Sequence, residues 1–166
     1  MANHHSNVWG TLSVLLAAVS CQLSYGAVEK IGNEIKESSN GPSQAGTTFL
    51  LYDKPVTSQG VIFGFAAYVR HQNPIRFQIW RPEGSTRFTL VQQWEFQPVK
   101  AKGAELFYIH TLASAQCITV EAGDRLGVMF PTAPTAVAYT FSTSDTTYQA
   151  GETNGTQVGD DIDFDT

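Results

Sequence analysis

The residues of this 166-residue chain that could do chemistry are few and widely spaced. Arg76, Gln78 and Trp80 alternate through Ile75–Arg81, so on an extended strand they project in one row from one face. An exposed indole can stack on the apolar face of a sugar while Gln and Arg bond its hydroxyls. Arg70, Arg81 and Arg87 lie nearby in sequence, which would suit an acidic glycan or a lipid headgroup. The competing use of the same Trp is as a core residue, or as half of an ordinary surface cation–π pair. Asp161-x-Asp163-x-Asp165 has the spacing that begins a calcium loop, without the Gly and the closing Glu that complete one. A solvated acidic end is the plainer reading of those three residues. Asn154-Gly155-Thr156 is a glycosylation sequon in a polar stretch.

Nucleophile–base arrangements are not visible in any motif. Past residue 26 the histidines are His71 and His110. His71 lies in a loop beside Asn73-Pro74, where solvent exposure is expected. His110 shares a strand face with Leu106, Tyr108 and Leu112 and reads as a core or rim residue. No catalytic residue is assigned, and no cofactor beyond the calcium candidate is implied.

The first segment reads as an address. Residues 1–26 contain no Lys, Arg, Asp or Glu. The apolar stretch Val14–Val19 is shorter than the about 20 residues that a membrane span needs. Ser24-Tyr25-Gly26 places small residues three and one positions before Ala27, the pattern that a signal peptidase accepts. A cleaved secretory signal over 1–26 is therefore expected, leaving no membrane span in the mature chain. An uncleaved anchor, or a lipoprotein acylated at Cys21, is the alternative. Cleavage would carry Cys21 away and leave Cys117 unmatched. That residue is then expected either to be buried as a small apolar side chain or to form an intermolecular disulfide.

Residues 27–46 read as a flexible leader with a short amphipathic stretch at Val28, Ile31 and Ile35. Ser38–Ser43 is a linker by composition. Residues 47–166 form the domain, with an acidic tail. Short apolar runs follow one another at Thr48–Tyr52, Val61–Val69, Ile75–Arg81, Phe88–Phe96, Leu106–Leu112, Cys117–Glu121, Arg125–Phe130 and Val137–Ser142. A last run lies near Gln157–Phe164. Gly and Pro punctuate them, and none carries helical periodicity. The expected fold is all-β: an antiparallel, jelly-roll-like β-sandwich of about eight strands behind a disordered N-terminal leader. An immunoglobulin-like sandwich is the second choice. Gly123-Asp124, between two strand runs, reads as hairpin-turn chemistry.

Charge sharpens the picture. The net charge of −5 is uneven: residues 27–144 carry ten Lys and Arg against nine Asp and Glu, whereas residues 145–166 carry six acidic groups and no basic one. The domain is nearly neutral and its tail acidic, which argues against a nucleic-acid partner.

The run Gln78-Ile79-Trp80-Arg81-Pro82 is followed by a strand at Phe88-Thr89-Leu90-Val91 and by Cys117-x-x-Val120-x-x-Gly123-Asp124. In this the chain resembles β-sandwich modules of secreted and cell-surface animal proteins, invertebrate ones above all, over roughly residues 47–142. The resemblance implies an extracellular module with no catalytic role. The sequence thus leads to a secreted, non-enzymatic module that binds an extracellular glycan or protein. A structural or adhesive component assembling through Cys117 or sheet edges stands as the alternative, and an unrecognised secreted enzyme as the third.

Overall fold

The structure, a computed structural model, describes residue 31 and residues 45–69, 71–98, 106–113, 116–134 and 147–164. Within them run ten strands: β1 (Thr47–Leu51), β2 (Gly60–Ile62), β3 (Gly64–Val69), β4 (Ile75–Pro82), β5 (Arg87–Phe96), β6 (Leu106–Thr111), β7 (Ile118–Val120), β8 (Arg125–Met129), β9 (Thr147–Glu152) and β10 (Asp161–Asp163). Six of them form one antiparallel sheet in the order β10–β5–β4–β8–β1–β9, curled into a half-barrel. Two antiparallel ribbons, β2–β7 and β3–β6, complete the set. Among the described residues there is no α-helix, and hence none long and apolar enough to cross a membrane.

The sheet buries side chains on both faces. On one face Ile75, Phe77 and Ile79 of β4 and Phe96 of β5 meet Phe65, Ala67 and Val69 of β3 and Ile118 and Val120 of β7. The rings of Phe65 and Phe77 stack at 4.1 Å, and those of Phe77 and Phe96 at 5.5 Å. Ile31, from the leader, packs half-buried against this core. On the other face Leu50, Trp80, Phe88, Leu90, Ala150 and Phe164 form a second core.

What makes the second core is the chain's last described segment. β9 and β10 occupy opposite edges of the sheet and yet follow one another in sequence. The segment joining them, Thr153–Asp160, must therefore cross the sheet. Its hydrogen bonds mark the route: to Thr48 of β1, Arg76 of β4, then Gln93 and Leu90 of β5. This crossing segment, β10 and Phe164 together form a strap over the sheet.

Most of the expected strands are present, with four differences. The run Val61–Val69 divides at Phe63, because its halves pair with different partners, β7 and β6. Phe63, which simple alternation would set on one face with Phe65, is instead 41% exposed at that break. Strict alternation would set Phe88, Leu90, Trp94 and Phe96 on one face. A β-bulge intervenes: Ile79 lies opposite Gln92 and Trp80 opposite Leu90, so Val91 is the extra residue. One inserted residue reverses every later side chain, and Phe88 and Leu90 join the second core while Phe96 joins the first. β9 (Thr-Tyr-Gln-Ala-Gly-Glu) was not expected, since its sequence lacks an apolar run; it is recruited by pairing with β1. The run 137–142 and the segment 1–26 lie outside the described residues.

Candidate functional site

Arg76, Gln78 and Trp80 do share one face of β4, as their spacing requires, but that face points inward. Trp80 and Gln78 are both 0% exposed. The expected sugar platform is therefore absent, because the strap covers the face the indole would have offered. Trp80 meets the Phe164 ring edge-to-face at 5.1 Å, and Phe164 meets Phe88 in the same way at 5.4 Å. Tyr52 adds a third edge-to-face contact on Phe88, with the Arg125 guanidinium 5.4 Å over the Tyr52 ring. Such pairs are preferred because the positive edge of one ring meets the negative face of another.

The indole fits because of a missing side chain on the next strand. Gln78 lies opposite Gly127 of β8, and a β-carbon on Gly127 would stand 2.7 Å from Trp80 Nε1 and 2.8 Å from its Cδ1. Strand glycines often mark such a close approach.

Gln78 is the centre of a buried polar chain. Its Oε1 accepts from the Thr48 hydroxyl at 2.7 Å and from Trp80 Nε1 at 3.3 Å. Thr48 in turn lies 2.9 Å from the Thr153 hydroxyl. Gly46 O accepts from the Thr153 amide at 2.7 Å, so that carbonyl is satisfied even when the Thr153 hydroxyl donates to Thr48. On its other side Gln78 Nε2 donates to Gln93 Oε1, and Gln93 Nε2 donates to Thr156 O, each at 3.3 Å. The chain thus starts and ends on the strap, passing through β1, β4 and β5. Among the described residues no buried side-chain polar atom lacks a partner, as a network in a low-dielectric interior requires.

Arg76, at the solvent end of the row, is held by Glu95 through Nε at 3.0 Å and Nη2 at 2.6 Å. Its Nη1 donates to Asn154 O at 3.3 Å. The whole row is consumed in seating the strap.

One turn is used twice. Glu121-Ala122-Gly123-Asp124 and Gln157-Val158-Gly159-Asp160 each close with an amide of the fourth residue on the carbonyl of the first, at 3.1 and 3.0 Å. In each the glycine has positive φ, +99° and +96°, which type II turns place at their third position. In each the Asp carboxylate accepts from the first residue's amide, at 2.9 and 2.8 Å. In each, too, the Gly amide and the Asp carbonyl grip both main-chain groups of one buried apolar residue. The first turn holds Val56 that way and the second holds Leu90. The reading of Gly123-Asp124 as turn chemistry stands, although the turn joins strands of different sheets rather than a hairpin.

Ion pairs fix the first turn and β10 to their surroundings. Asp124 is 1% exposed and receives Arg81 through Nε at 2.9 Å and Nη2 at 3.1 Å. Arg81 Nη1 also lies 3.2 Å from Glu121. The hydrogen bond to Asp124, followed by the nearby carboxylate charges, raises the Arg81 pKa above its usual range, against the opposing cost of burial. Arg125 donates to Tyr52 O at 2.7 Å and to Gly123 O. On the strap, Asp161 accepts from Thr89 Oγ1 at 2.5 Å and from Arg87 Nη2 at 2.8 Å. Those two bonds, Thr89 first, hold its carboxyl below the ordinary carboxylate range.

Of the calcium candidates, Asp161 is committed to Arg87 and Thr89, Asp163 lies on the same edge strand, and Asp165 is outside the described residues. No three His, Cys, Asp or Glu side chains converge as metal ligands among the described residues. Asn154 is exposed in a turn closed by the Thr156 amide on Thr153 O at 3.1 Å. His71 is exposed, and His110 lies in β6 opposite Phe65. Cys117 is half-buried, and its sulphur is in a disulfide. Its 3.8 Å approach to Ala113 O is accordingly a contact without a proton. The chain's other cysteine, Cys21, lies outside the described residues.

Sequence reasoning missed Thr48, Gln93, Thr153, Thr156, Gly127 and Phe164. Two had a signal: a glycine inside the run Leu126-Gly127-Val128, and the alternation Asp161-Ile162-Asp163-Phe164. The threonines had none, since nothing local distinguishes a buried hydroxyl from an exposed one. In comparisons with known proteins the chain matches no family model, no curated protein and no solved structure.

Proposed function

We propose that the chain is a secreted, non-enzymatic extracellular module that acts by binding a protein or a glycan on its outer surface. On this reading it is a jelly-roll-like sandwich in which the two ribbons form the second layer over Phe77. The observation that carries the extracellular reading is the position of Asn154. Its neighbours Thr153 and Thr156 are buried and bonded to the sheet, whereas Asn154 itself stands outside on the turn between them. A glycan there would point into solvent and displace no packing. The charge-free segment ending in Ser24-Tyr25-Gly26 supports the same compartment. With Gln78 and Trp80 in the interior and Arg76 held by Glu95 and the strap, recognition falls to the exterior of the sheet and ribbons.

Expression of the full chain in a secreting eukaryotic cell tests this. The protein is expected in the medium, with a mass that falls on N-glycosidase treatment and does so only while Asn154 is present. Purified from the medium, it is expected to bind either a glycan array or intact cells. Retention inside the cell without a glycan, or secreted protein that binds neither surface, would overturn the proposal.

A further inference from the structure

The strap is bound to the sheet as a ligand would be, and everything that recognises its outer part lies within eight consecutive residues, Gln157–Phe164. The Gly159 amide and the Asp160 carbonyl hold the two main-chain groups of Leu90, at 2.8 and 2.9 Å. Asp161, Ile162 and Asp163 then pair with Thr89, Phe88 and Arg87, and the Phe164 amide closes on Thr86 O at 2.9 Å. Asp161 supplies the charge contacts to Arg87 and Thr89. The Phe164 ring fills the space between Trp80 and Phe88. None of these contacts depends on the residues before Gln157 belonging to the same molecule.

The chain leading into that segment turns at the surface: Asn154 and Gly155 are exposed, and nothing lies within 4 Å of a β-carbon on Gly155. Exchange of an identical element between copies replaces each lost contact by the same contact, so it costs little beyond the entropy of association.

We infer that the edge of β5, with the aromatic box of Trp80 and Phe88, is a docking surface for the Gln157–Phe164 segment of a second copy of this chain. The structure describes the surface filled in cis; filled in trans, it joins two copies by reciprocal strand exchange. The inference stands on the fold alone and is independent of the secreted reading.

Charge-swapped full-length chains test it. A chain carrying Arg87→Asp opposes its own Asp161, and a chain carrying Asp161→Arg opposes its own Arg87. Mixed, each strap finds an opposite charge only on the other chain. The mixture is expected to give a heterodimer of twice the monomer mass by size exclusion with light scattering, several-fold more abundant than the dimer of either variant alone. A mixture that stays as monomeric as its components overturns the inference. If either variant does not fold, the result is read from a second measurement on the full chain carrying Phe164→Ala. A peptide of sequence Gln157–Phe164 is expected to raise its thermal midpoint with a saturable dependence on concentration, and the same peptide ending in Ala is not. No rise, or an equal rise with both peptides, overturns the inference.

Discussion

The indole of Trp80 lies over Gly127, so close that the smallest side chain there would meet it at 2.7 Å. Gly127→Ala therefore cannot be accommodated without moving a ring that also packs on Phe164. Overpacking of this kind costs about 1–3 kcal/mol. Gly84→Ala is the matched control, since nothing lies within 4 Å of a β-carbon there, and it should stay within about 0.5 kcal/mol of wild type. Urea denaturation midpoints compare the two.

Trp80 and Phe164 should behave as one packing unit. Each truncation to Ala is expected to cost about 3–5 kcal/mol, as for other buried aromatics. Because each leaves the other beside a cavity, the double variant should fall short of the sum by roughly 0.5–3 kcal/mol. A double-mutant cycle measured by equilibrium unfolding reads the difference, and strict additivity would mean the rings are not coupled.

The two related turns make an internal comparison. Asp124 is buried and carries Arg81, whereas Asp160 caps an exposed turn. Asp160→Ala should cost on the order of 1 kcal/mol, the value of a single turn-capping bond. Asp124→Ala should cost more, about 2–3 kcal/mol, because it strips Arg81 and the Glu121 amide of their shared acceptor. Chemical denaturation of the two variants ranks them; equal losses would contradict the assignment.

Asp161 makes the strap acid-sensitive. Its carboxyl is held below the ordinary value of 3.8 by Thr89 and Arg87. A group whose folded pKa is depressed contributes stability above its unfolded pKa and loses it as pH falls through the folded one. Glu83, which the Thr89 hydroxyl also approaches at 3.4 Å, and Asp163 on the same strand are the other acids nearby. Hydrogen exchange at the amides of residues 161–164 should therefore quicken below about pH 4. In Asp161→Asn the same amides should exchange faster at neutral pH and lose that part of the acid response.

The sequence of β4 was legible because its two periodicities agree: Ile75, Phe77 and Ile79 mark one face, and Arg76, Gln78 and Trp80 the other. What it could not show is that both faces are buried. A Gln between apolar neighbours reads as solvent-facing, and Gln78 is interior only because Thr48 and Gln93 satisfy it from adjacent strands. Those partners lie 30 and 15 residues away, beyond any local pattern. The single residue Val91 likewise overrode a regular alternation in β5, since one inserted residue is invisible to a count of polar and apolar positions. The turn at Gly123-Asp124 was legible from its two residues alone, because positive φ and a capping carboxylate are local requirements. Its counterpart at Gly159-Asp160 sat in a stretch read as a last strand run with an acidic end.

The strap also sets a clock on biosynthesis. Trp80 and Phe88 leave the ribosome well before Phe164, the residue that covers them, and for that interval the second core is an open aromatic trough. At typical elongation rates the 84 residues between Trp80 and Phe164 take roughly 4–17 s to make. Over that time a nascent chain with the sheet half-built offers any neighbour the same surface its own β10 and Phe164 are due to occupy. The molecule's exposure to misassembly is thus fixed by the order in which its strands are synthesised, before thermodynamic stability enters.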